Sequence, residues 1–514
     1  MGATNSTLTL TNVDAATQGS YRVIVSDANG SITNSAMFTL VTTPVITSQT
    51  VPTNQIVIYG NHLSFSVTVS APGQFNGFPI GYRWQSHGTN IPGANTSAYS
   101  FYADDASSGL YSVIVTNAAG SASATWWVTV TNLIEASRDL LVIYNTNSAD
   151  SIWVKDYYLA HRSMVSGANV LGIGCTSWHS IFPEDYTNTI AVPVQNWLTA
   201  NPTKRPQYVI LMAGIPWRVN TNAYTPWGNY QGDDPPYALP VRPSVQYQLS
   251  TQTTLGWQPF VTGINMGELI DIGGVNYGIY TNACKAYIDK LEFFGTNYSS
   301  GKLAISASAG GYGNTNLLFD NVRYGSDWAW CPGACYPSPI FGGFISNTVN
   351  TLQAMNLPDI SITYVDGLEV GSASSQPPHI TNAVNVAGYM SWGEHSLLTG
   401  QYATTTNPTN RVWWQGNSSW YLIETIESFN GQPGAGQGDF FQWFSAGAFG
   451  GTNYANTPIG VVTHVDEPGF QYVNNASLYF GLWASGKNFG VCGWVSRRTR
   501  TDRFQAVGDP FVTR

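Results

Sequence analysis

The sequence predicts a multidomain chain, in which an N-terminal all-β sandwich is followed by an α/β domain built on a mostly parallel sheet. At 514 residues the chain is long for a single domain. Residues 44–132 alternate apolar and polar positions in short runs separated by Gly, Pro, Asn and Ser, which is typical of a sandwich. Over residues 133–514, continuous apolar runs alternate with helical segments, which predicts a parallel sheet covered by helices.

The sandwich prediction depends on one clear inward face. Leu63, Phe65, Val67 and Val69 alternate with polar residues, and Trp84 follows about one strand later. Side chains two residues apart on a strand lie on the same face, so these residues are expected in the core.

The stretch DASSGLYSVIVTNAAG carries the signature of a tyrosine corner, in which Tyr precedes a core position of an immunoglobulin sandwich. We assign this signature to Asp105, Gly109, Tyr111 and Val113. Val67 and Val113 stand where such domains usually carry a cysteine pair. The segment therefore resembles the bacterial immunoglobulin-like domains that act as surface spacers.

Residues 1–43 repeat the second half of this pattern, with Asp14, Gly19, Tyr21 and Val23 at the repeated positions. We interpret them as a partial immunoglobulin-like module, which implies an array of modules and a chain that begins partway through a longer protein. The alternative is an irregular cap on the next module, because edge strands need covering.

The α/β elements begin with a buried strand over residues 139–144, followed by a helix that Ser148 or Asp150 caps. A further helix is predicted over residues 192–200. The Pro-, Gly- and aromatic-rich residues 217–260 predict a long surface insertion. Further strands are predicted over residues 169–174, 208–214, 302–308 and 360–367 and in two late segments, GYMSWGEHS and GVVTHVDEPG.

Composition limits the function classes. Charged residues make up 10% of the chain, against about 25% in typical domains, and Asn, Thr, Ser and Gly supply the polarity instead. This is typical of secreted or surface-displayed bacterial proteins, so we expect an extracellular or cell-surface location. A net charge of −9 argues against nucleic acid as a partner. No run of 18 apolar residues exists, so no membrane span is predicted.

Five cysteines are present, and the closest pair is Cys331 and Cys335 in WCPGAC. Their spacing is compatible with a disulfide, with free thiols or with two metal ligands. No second CxxC or neighbouring histidine completes a zinc set.

Two strand ends near the C-terminus are the predicted site. The apolar strand of GYMSWGEHS ends at Glu394 and His395, and that of GVVTHVDEPG ends at His464, Asp466 and Glu467. In open α/β sheets, ligands bind outside the carboxyl ends of the strands. We therefore expect these side chains to form one site.

Several chemistries fit these residue types. His395 is a candidate general base that the Glu394 carboxylate would orient. Ser391 lies four residues earlier and is a nearby hydroxyl. His464 and Asp466 lie on the same side if their strand continues. Imidazole and carboxylate are also ligand types of catalytic metals, so metal binding, acid/base catalysis and structural hydrogen bonding all stay open. Ser391 or Thr463 as a nucleophile needs an adjacent base, and neither lies in a GxSxG elbow.

The motifs LVIYNTNSAD, ILMAGIPWRV, GYMSWGEHS, IGVVTHVDEPG and AVGDP resemble those of an uncharacterised bacterial family over about residues 137–510. The chain is also distantly similar to gingipain-type and caspase-like cysteine peptidases, which end neighbouring strands in His and Cys. That likeness implies that His395 stands at the position of the catalytic histidine. It also implies that Thr463 and His464 stand at the position of the catalytic cysteine. Cys175 and Cys492 lie on other segments, so the expected nucleophile is missing.

These observations leave three functions open: a hydrolase of peptide or ester bonds, a catalytically inactive binding module, and a structural surface component. Many tryptophans lie in the predicted loops. Their rings are expected either to be exposed and bind a peptide or carbohydrate ligand, or to be buried and fill the core under the loops. The sequence assigns no cofactor and no oligomeric state.

Overall fold

The computed structural model describes residues 4–58, 61–70, 79–131, 135–162, 165–204, 206–220, 224–226, 238–240, 243–251, 257–266, 268–270, 277–279, 281–295, 305–306, 314–321, 344–366, 380, 382–392, 412–416, 418–425, 430–432, 440–466, 474–497 and 503–514. The chain folds into two compact units, Met1–Thr131 and Asn132–Arg514. Within the described residues, no helix is long and apolar enough to cross a membrane.

The N-terminal unit is made of β-strands and two short 3₁₀ helices, Ala15–Thr17 and Asp105–Ser107. Its described strands in chain order are β1 (Gly19–Asp27), β2 (Gly30–Phe38), β3 (Val45–Gln49), β4 (Asn54–Ile58), β5 (His62–Ser70), β6 (Gly81–Ser86), β7 (Thr89–Asn90), β8 (Ala98–Tyr102), β9 (Gly109–Asn117) and β10 (Gly120–Thr131).

Strands β3 to β10 form the predicted immunoglobulin-like sandwich. One sheet has the order β4-β10-β9-β6-β7 and the other the order β3-β5-β8. The core between them contains Phe65, Trp84 and Trp126, whose rings stack with centroids 5.0–6.3 Å apart. Val67 and Val113 both lie in this core, as the replacement of a cysteine pair predicts.

The internal repeat has an offset of 90 residues, which corrects one assignment made from the sequence. Asp14 caps the first 3₁₀ helix, and its counterpart is Asp104, which accepts from the Ala106 backbone amide; it is not Asp105. The Tyr21 hydroxyl donates to the Thr17 carbonyl at 2.6 Å, which is the hydrogen bond of a tyrosine corner.

Residues 19–38 form an antiparallel hairpin of β1 and β2 rather than an irregular cap. The face of β1 that carries Val23 and Val25 corresponds to the face of β9 that carries Val113 and Val115. Val113 and Val115 are fully buried, whereas Val23 and Val25 are more than half exposed. The hairpin therefore has the strand pattern of the sandwich without a covered core.

The second unit contains the α/β fold. Its described strands are β11 (Leu140–Asn145), β12 (Asn169–Ile173), β13 (Ser180–Ile181), β14 (Tyr208–Met212), β15 (Arg218–Val219), β16 (Tyr224–Pro226), β17 (Ala238–Pro240), β18 (Phe260–Ile264), β19 (Glu268–Ile270), β20 (Tyr277–Ile279), β21 (Ile305–Ser306), β22 (Asn316–Asn321), β23 (Ser361–Asp366), β24 (Asn382–Val384), β25 (Val386–Trp392), β26 (Trp413–Gln415), β27 (Leu422–Thr425), β28 (Gly460–His464), β29 (Phe504–Gly508) and β30 (Val512–Thr513).

A ten-stranded sheet with the order β12-β11-β14-β18-β29-β28-β27-β25-β22-β23 organises this unit. Pairing is parallel within β12-β11-β14-β18 and within β28-β27-β25-β22-β23. Strand β29 joins the two groups: it is antiparallel to β28 and meets β18 at Val507 and Gly263. The pairings of the sheet are therefore mostly parallel, as predicted, with one antiparallel pairing, between β28 and β29, near its middle.

Helices cover this sheet. Their described bounds are Ala136–Asp139, Ala149–His161, Pro183–Tyr186, Val192–Ala200, Val245–Ser250, Thr281–Gly295, Phe344–Ala354, Phe440–Trp443, Ala476–Ala484 and Phe489–Ser496, with a π-helical turn at Thr187–Ala191 and a 3₁₀ turn at Ala448–Gly450.

Two details of these helices bear on the sequence analysis. Of the two residues proposed to begin the helix Ala149–His161, Ser148 is its N-cap. The helix Phe489–Ser496 packs closely on β28, because a Cβ at Gly460 would lie 2.6 Å from the Phe489 ring.

The sequence analysis missed four strands of the large sheet: β18, β22, β27 and β29. Each contains a polar residue or a glycine that interrupts its apolar run, such as Thr262, Asp320, Glu424 and Gln505. The predicted strand over 302–308 is described only at Ile305–Ser306, which pairs with β30.

The predicted surface insertion is also wrong at its ends. Trp217 and Arg218 are buried at one end, and the helix Val245–Ser250 buries Val245 and Leu249 at the other. Residues 227–237 lie outside the described part of the chain.

A buried ion pair joins Asp509, which follows β29, to Arg162 at the C-terminal end of the helix Ala149–His161. The Arg162 guanidinium donates through Nε and Nη2 to one carboxylate oxygen of Asp509, at 3.0 and 2.8 Å, and the Tyr158 hydroxyl donates to the same oxygen. The Asp509 amide donates to the Tyr287 hydroxyl, which donates to the Ile459 carbonyl just before β28. This network gives the AVGDP motif a structural role, because its Asp509 holds the helix Ala149–His161 and the start of β28.

Removal of one partner from this pair should be costly, because the other charge stays buried. We expect Arg162→Met to lower the free energy of unfolding by about 3–5 kcal/mol, and the Arg162→Met/Asp509→Leu double variant to lose much less than the two single variants added together. Urea unfolding of the full chain, followed by tryptophan fluorescence, measures this. Lys285→Ala breaks the exposed Lys285–Asp289 pair and serves as the control, with an expected loss of at most about 1 kcal/mol. A loss of that size for Arg162→Met would contradict the structural role.

Candidate functional site

The predicted site residues are only partly within the described structure. Ser391 lies in β25, Thr463 and His464 end β28, and Asp466 follows two residues later. All four are buried. Glu394, His395 and Glu467 lie outside the described residues, so their assignment stays a prediction.

Two parts of the predicted geometry are wrong. Strands β25 and β28 are not neighbours, because β27 pairs with both and lies between them. A neighbouring His and Cys position, as in the peptidase likeness, therefore does not apply to these two strands. Strand β28 ends at His464 and the backbone then bends, so Asp466 does not continue the alternation that would place it beside His464.

His464 points to the sheet face covered by the helix Phe489–Ser496. Val462 and His464 share this face with Ala506 and Phe504, their partners on β29, and Gly493 of the helix packs on Val462, Ala506 and Phe504. The imidazole is fully buried, and neither ring nitrogen has a hydrogen-bond partner among the described residues.

Burial, and next the positive charge of Arg503, lower the pKa of His464 from 6.5 to about 3. The ring is therefore neutral at physiological pH. A general base works best with a pKa near the operating pH, so His464 is poorly suited to that role.

Glu424 at the end of β27 is a buried acid that the sequence analysis did not single out. Its partner across the strands is Val462, so it shares the face of His464 and lies diagonally next to it. Tyr479 lies close by: burial, followed by the charge of Glu424, raises the pKa of its hydroxyl. The sequence does contain a pattern that indicates this residue: in WYLIET, an apolar run is followed by Glu424.

The opposite face of the same strands carries a row of buried polar side chains at one level. Asp320, Ser391 and Thr425 are paired across β22, β25 and β27, and Thr463 pairs with Gln505 across β28 and β29. The register between β27 and β28 places Thr425 level with Thr463. We call these five residues the polar row, and each is at most 1% exposed.

Members of the polar row differ in how their hydrogen bonds are satisfied. The Thr425 hydroxyl accepts from Asn430 Nδ2 at 2.9 Å, and Asp320 accepts from the Ile380 amide. The hydroxyls of Ser391 and Thr463 and both polar atoms of the Gln505 amide have no partner among the described residues. Buried polar groups are normally paired, so these three side chains require an explanation.

The strands at the other end of the sheet provide a contrast. Asn145 closes β11, and its Nδ2 donates to the carbonyls of Thr176 and Gly214, which follow β12 and β14. Its Oδ1 accepts from the Asn147 and Cys175 amides. Asn145 is thus satisfied by the loops it ties together, and we assign it a structural role.

A turn at Asn430 and Gly431 contacts the ends of β27 and β28 beside the polar row. Asn430 Oδ1 accepts from the His464 amide at 2.7 Å, and Asn430 Nδ2 donates to Thr425. Gly431 donates to the His464 carbonyl, and a Cβ at Gly431 would lie 2.9 Å from Thr463 Oγ1. This turn holds the ends of two strands in register.

The neighbouring loops meet at the Val465 carbonyl, which follows β28. It accepts from Gln432 Nε2 at 2.6 Å and from Arg218 Nη1 at 3.5 Å. Arg218 belongs to the segment after β14, so this segment reaches the end of β28. Arg218 and Gln432 were not among the residues predicted from the sequence.

The described residues bring together one group of three side chains able to ligate a metal: His161, Asp289 and Glu292. It lies on the helices Ala149–His161 and Thr281–Gly295, apart from the polar row. Lys285 already holds Asp289 at 2.6 Å, and His161 bonds Glu292 at 2.8 Å. An ion-pair network accounts for this cluster. It gives no support to a metal at His464 and Asp466.

No nucleophile–base pair forms among the described residues of the polar row. Neither the Ser391 nor the Thr463 hydroxyl bonds a histidine. The described cysteines Cys175, Cys284 and Cys492 are buried, and burial raises the pKa of Cys175 to about 12. Cys331 and Cys335 lie outside the described residues.

The lowered pKa of His464 predicts a pH dependence of stability. Because the folded pKa is below the unfolded value, the unfolded state binds the proton more tightly, and stability is lost as the pH falls from about 6.5 toward 3. We expect His464→Leu to abolish about 2 kcal/mol of the loss between pH 7 and pH 5. Urea unfolding at the two pH values measures the difference, and equal losses in both proteins would contradict a buried neutral imidazole.

Comparison with known proteins adds little to this description. No family model matches the sequence, and no curated protein matches it. Among solved structures, the Dscam structure solved for isoform specificity is 21% identical over 23% of this chain, with a TM-score of 0.19. The first four immunoglobulin domains of Dscam1 isoform 6.9 are 20% identical over the same share, also with a TM-score of 0.19.

The first eight immunoglobulin domains of DSCAM isoform 1.30.30 are 19% identical over 26% of this chain, with a TM-score of 0.19. The chain spans 29% of the first two structures and 17% of the third. TM-scores this low support no conclusion about the chain. The immunoglobulin-like assignment depends instead on its own strand order, core and tyrosine corner.

Proposed function

We propose that this protein is an extracellular binding protein whose α/β unit takes a ligand at the polar row. The observation that carries the proposal is a set of buried polar atoms on Ser391, Thr463 and Gln505 that have no partner among the described residues. Ser391 and Thr463 lie near the carboxyl ends of β25 and β28, and Gln505 lies at the beginning of β29, opposite Thr463. Ligands of α/β proteins bind at such strand ends. The immunoglobulin-like unit and the low charge support a role at or outside the cell surface.

Energetics support this interpretation. A buried donor or acceptor without a partner costs roughly 1–3 kcal/mol, and these three side chains have none within the described part of the chain. Valine in place of Thr463 or alanine in place of Ser391 would remove that cost at nearly the same volume. A chain that keeps polar groups in such places has them for a function other than stability.

A hydrolase is the second candidate. The hydroxyls of Ser391 and Thr463 at strand ends favour it, since an alcohol nucleophile needs this kind of position. The required base would have to come from His395 with Glu394, as the distant likeness to caspase- and gingipain-type peptidases implies. That assignment stays a prediction.

We expect Thr463→Val and Ser391→Ala each to raise the free energy of unfolding by about 1 kcal/mol, because each removes a buried hydroxyl that has no partner among the described residues. Thr425→Val is the matched control in the same row. It should lower stability by about 1–3 kcal/mol, because it leaves Asn430 Nδ2 without its hydroxyl acceptor. Urea unfolding of the full chain measures all three.

The same proteins test function. Thermal-shift screening of the wild-type chain against sugars, peptides and small anions should find a ligand that stabilises it, and Thr463→Val should lose that stabilisation. If Thr463→Val and Ser391→Ala destabilise as Thr425→Val does, the polar row is structural and the proposal fails. Turnover of a peptide or ester substrate that Ser391→Ala or Thr463→Val abolishes would favour the hydrolase instead.

A further inference from the structure

We infer that the carboxyl end of β28 is an oxyanion-binding site, at which Arg218, Arg497 and Arg503 bind a carboxylate or phosphate group of the ligand. We call these three residues the arginine cluster. The inference rests on the proposed function, because the cluster lies at the strand ends that carry Thr463 and Gln505, and it adds the chemical class of the ligand.

Contacts with Val465, which follows β28, bring two of the arginines to one place. The Val465 carbonyl accepts from Arg218 Nη1 at 3.5 Å, and the Val465 amide donates to the Arg503 carbonyl at 2.9 Å. After burial, the positive charge of Arg503 is the second cause of the lowered pKa of His464. The charge of Arg503 therefore acts on the end of β28.

Arg497 reaches the same place through the helix Val245–Ser250. Ser244 is the N-cap of this helix and forms an antiparallel β-bridge with Arg218. Tyr247 lies in the first turn of the helix, and its ring centroid is 5.0 Å from the Arg497 guanidinium. One helical turn therefore connects Arg497 to the segment of Arg218.

Two of the arginines stack on aromatic rings. Arg497 Cζ lies 5.0 Å from the ring centroid of Tyr247 and 5.1 Å from that of Trp494, and Arg218 Cζ lies 5.3 Å from that of Trp217. Stacking engages the flat faces of a guanidinium, whose N–H donors point outward in its plane. This arrangement orients N–H donors for the paired oxygens of a carboxylate or phosphate group.

Charge and exposure both favour an oxyanion. Four of the 20 basic residues of the chain lie in residues 497–503, although charged residues make up only 10% of the chain. Among the described residues near the end of β28, the three arginines outnumber the two acids, Glu424 and Asp466. Arg497 and Arg503 are partly exposed, so an anion reaches them from solvent.

Calorimetric titration of the full chain at constant ionic strength tests the inference. The probes are inorganic phosphate and N-acetylglycine, and the uncharged N-acetylglycinamide is the matched control for the carboxylate. At least one of the two anions should bind. N-acetylglycinamide should bind about tenfold more weakly than N-acetylglycine, because hydrogen bonds to a charged group are the stronger ones.

Variants of the two partly exposed arginines locate the binding. Arg497→Gln and Arg503→Gln should each weaken anion binding about tenfold. Arg497→Lys should recover only part of that loss, because lysine keeps the charge without the planar fork. Lys285→Gln removes one exposed positive charge on the helix Thr281–Gly295 and is the matched control, which should bind as the wild type does.

The outcomes separate the inference from the proposed function. Anion binding that Arg497→Gln and Arg503→Gln leave unchanged would indicate an adventitious ion only and overturn the inference. Anion binding that these variants weaken but Thr463→Val does not would support the inference and remove the polar row from the site. Binding of neither anion would overturn the inference, while a neutral ligand that Thr463→Val loses would keep the proposed function.

Discussion

The buried pair of Arg162 and Asp509 is the interaction on which the rest of the α/β unit depends. It fixes the end of β29 against the helix Ala149–His161, and through Tyr287 it reaches the backbone before β28. Strand β29 in turn supplies Gln505 to the polar row and connects the two groups of parallel strands. The ion pair therefore helps to hold β29, and with it Gln505, in place.

The sequence predicted those parts of the fold whose residues are buried on both sides or alternate regularly. Strands β11 and β14 are continuous apolar runs, because both faces of a parallel sheet are covered. Strands β27 and β29 were missed because Glu424 and Gln505 interrupt short apolar runs.

The polar residues of the site could be predicted from the sequence, but their arrangement in space could not. Strand-end polar residues such as Ser391, Thr463 and His464 were visible in the sequence. The face to which each points, and the order of strands, depend on long-range pairing that periodicity does not encode. Gln505 was invisible for a further reason: β29 is antiparallel to β28, so its beginning, and not its end, meets the carboxyl end of β28.

Strand β29 is the last strand of the large sheet to be synthesised, yet it lies between β18 and β28. Until residues 504–508 emerge, the two groups of parallel strands have no strand between them, and each leaves one edge with unpaired backbone groups. Such edges pair readily with other chains. The order of strands thus makes completion of the sheet a late, long-range event, which slows folding and makes the nascent protein dependent on protection from aggregation.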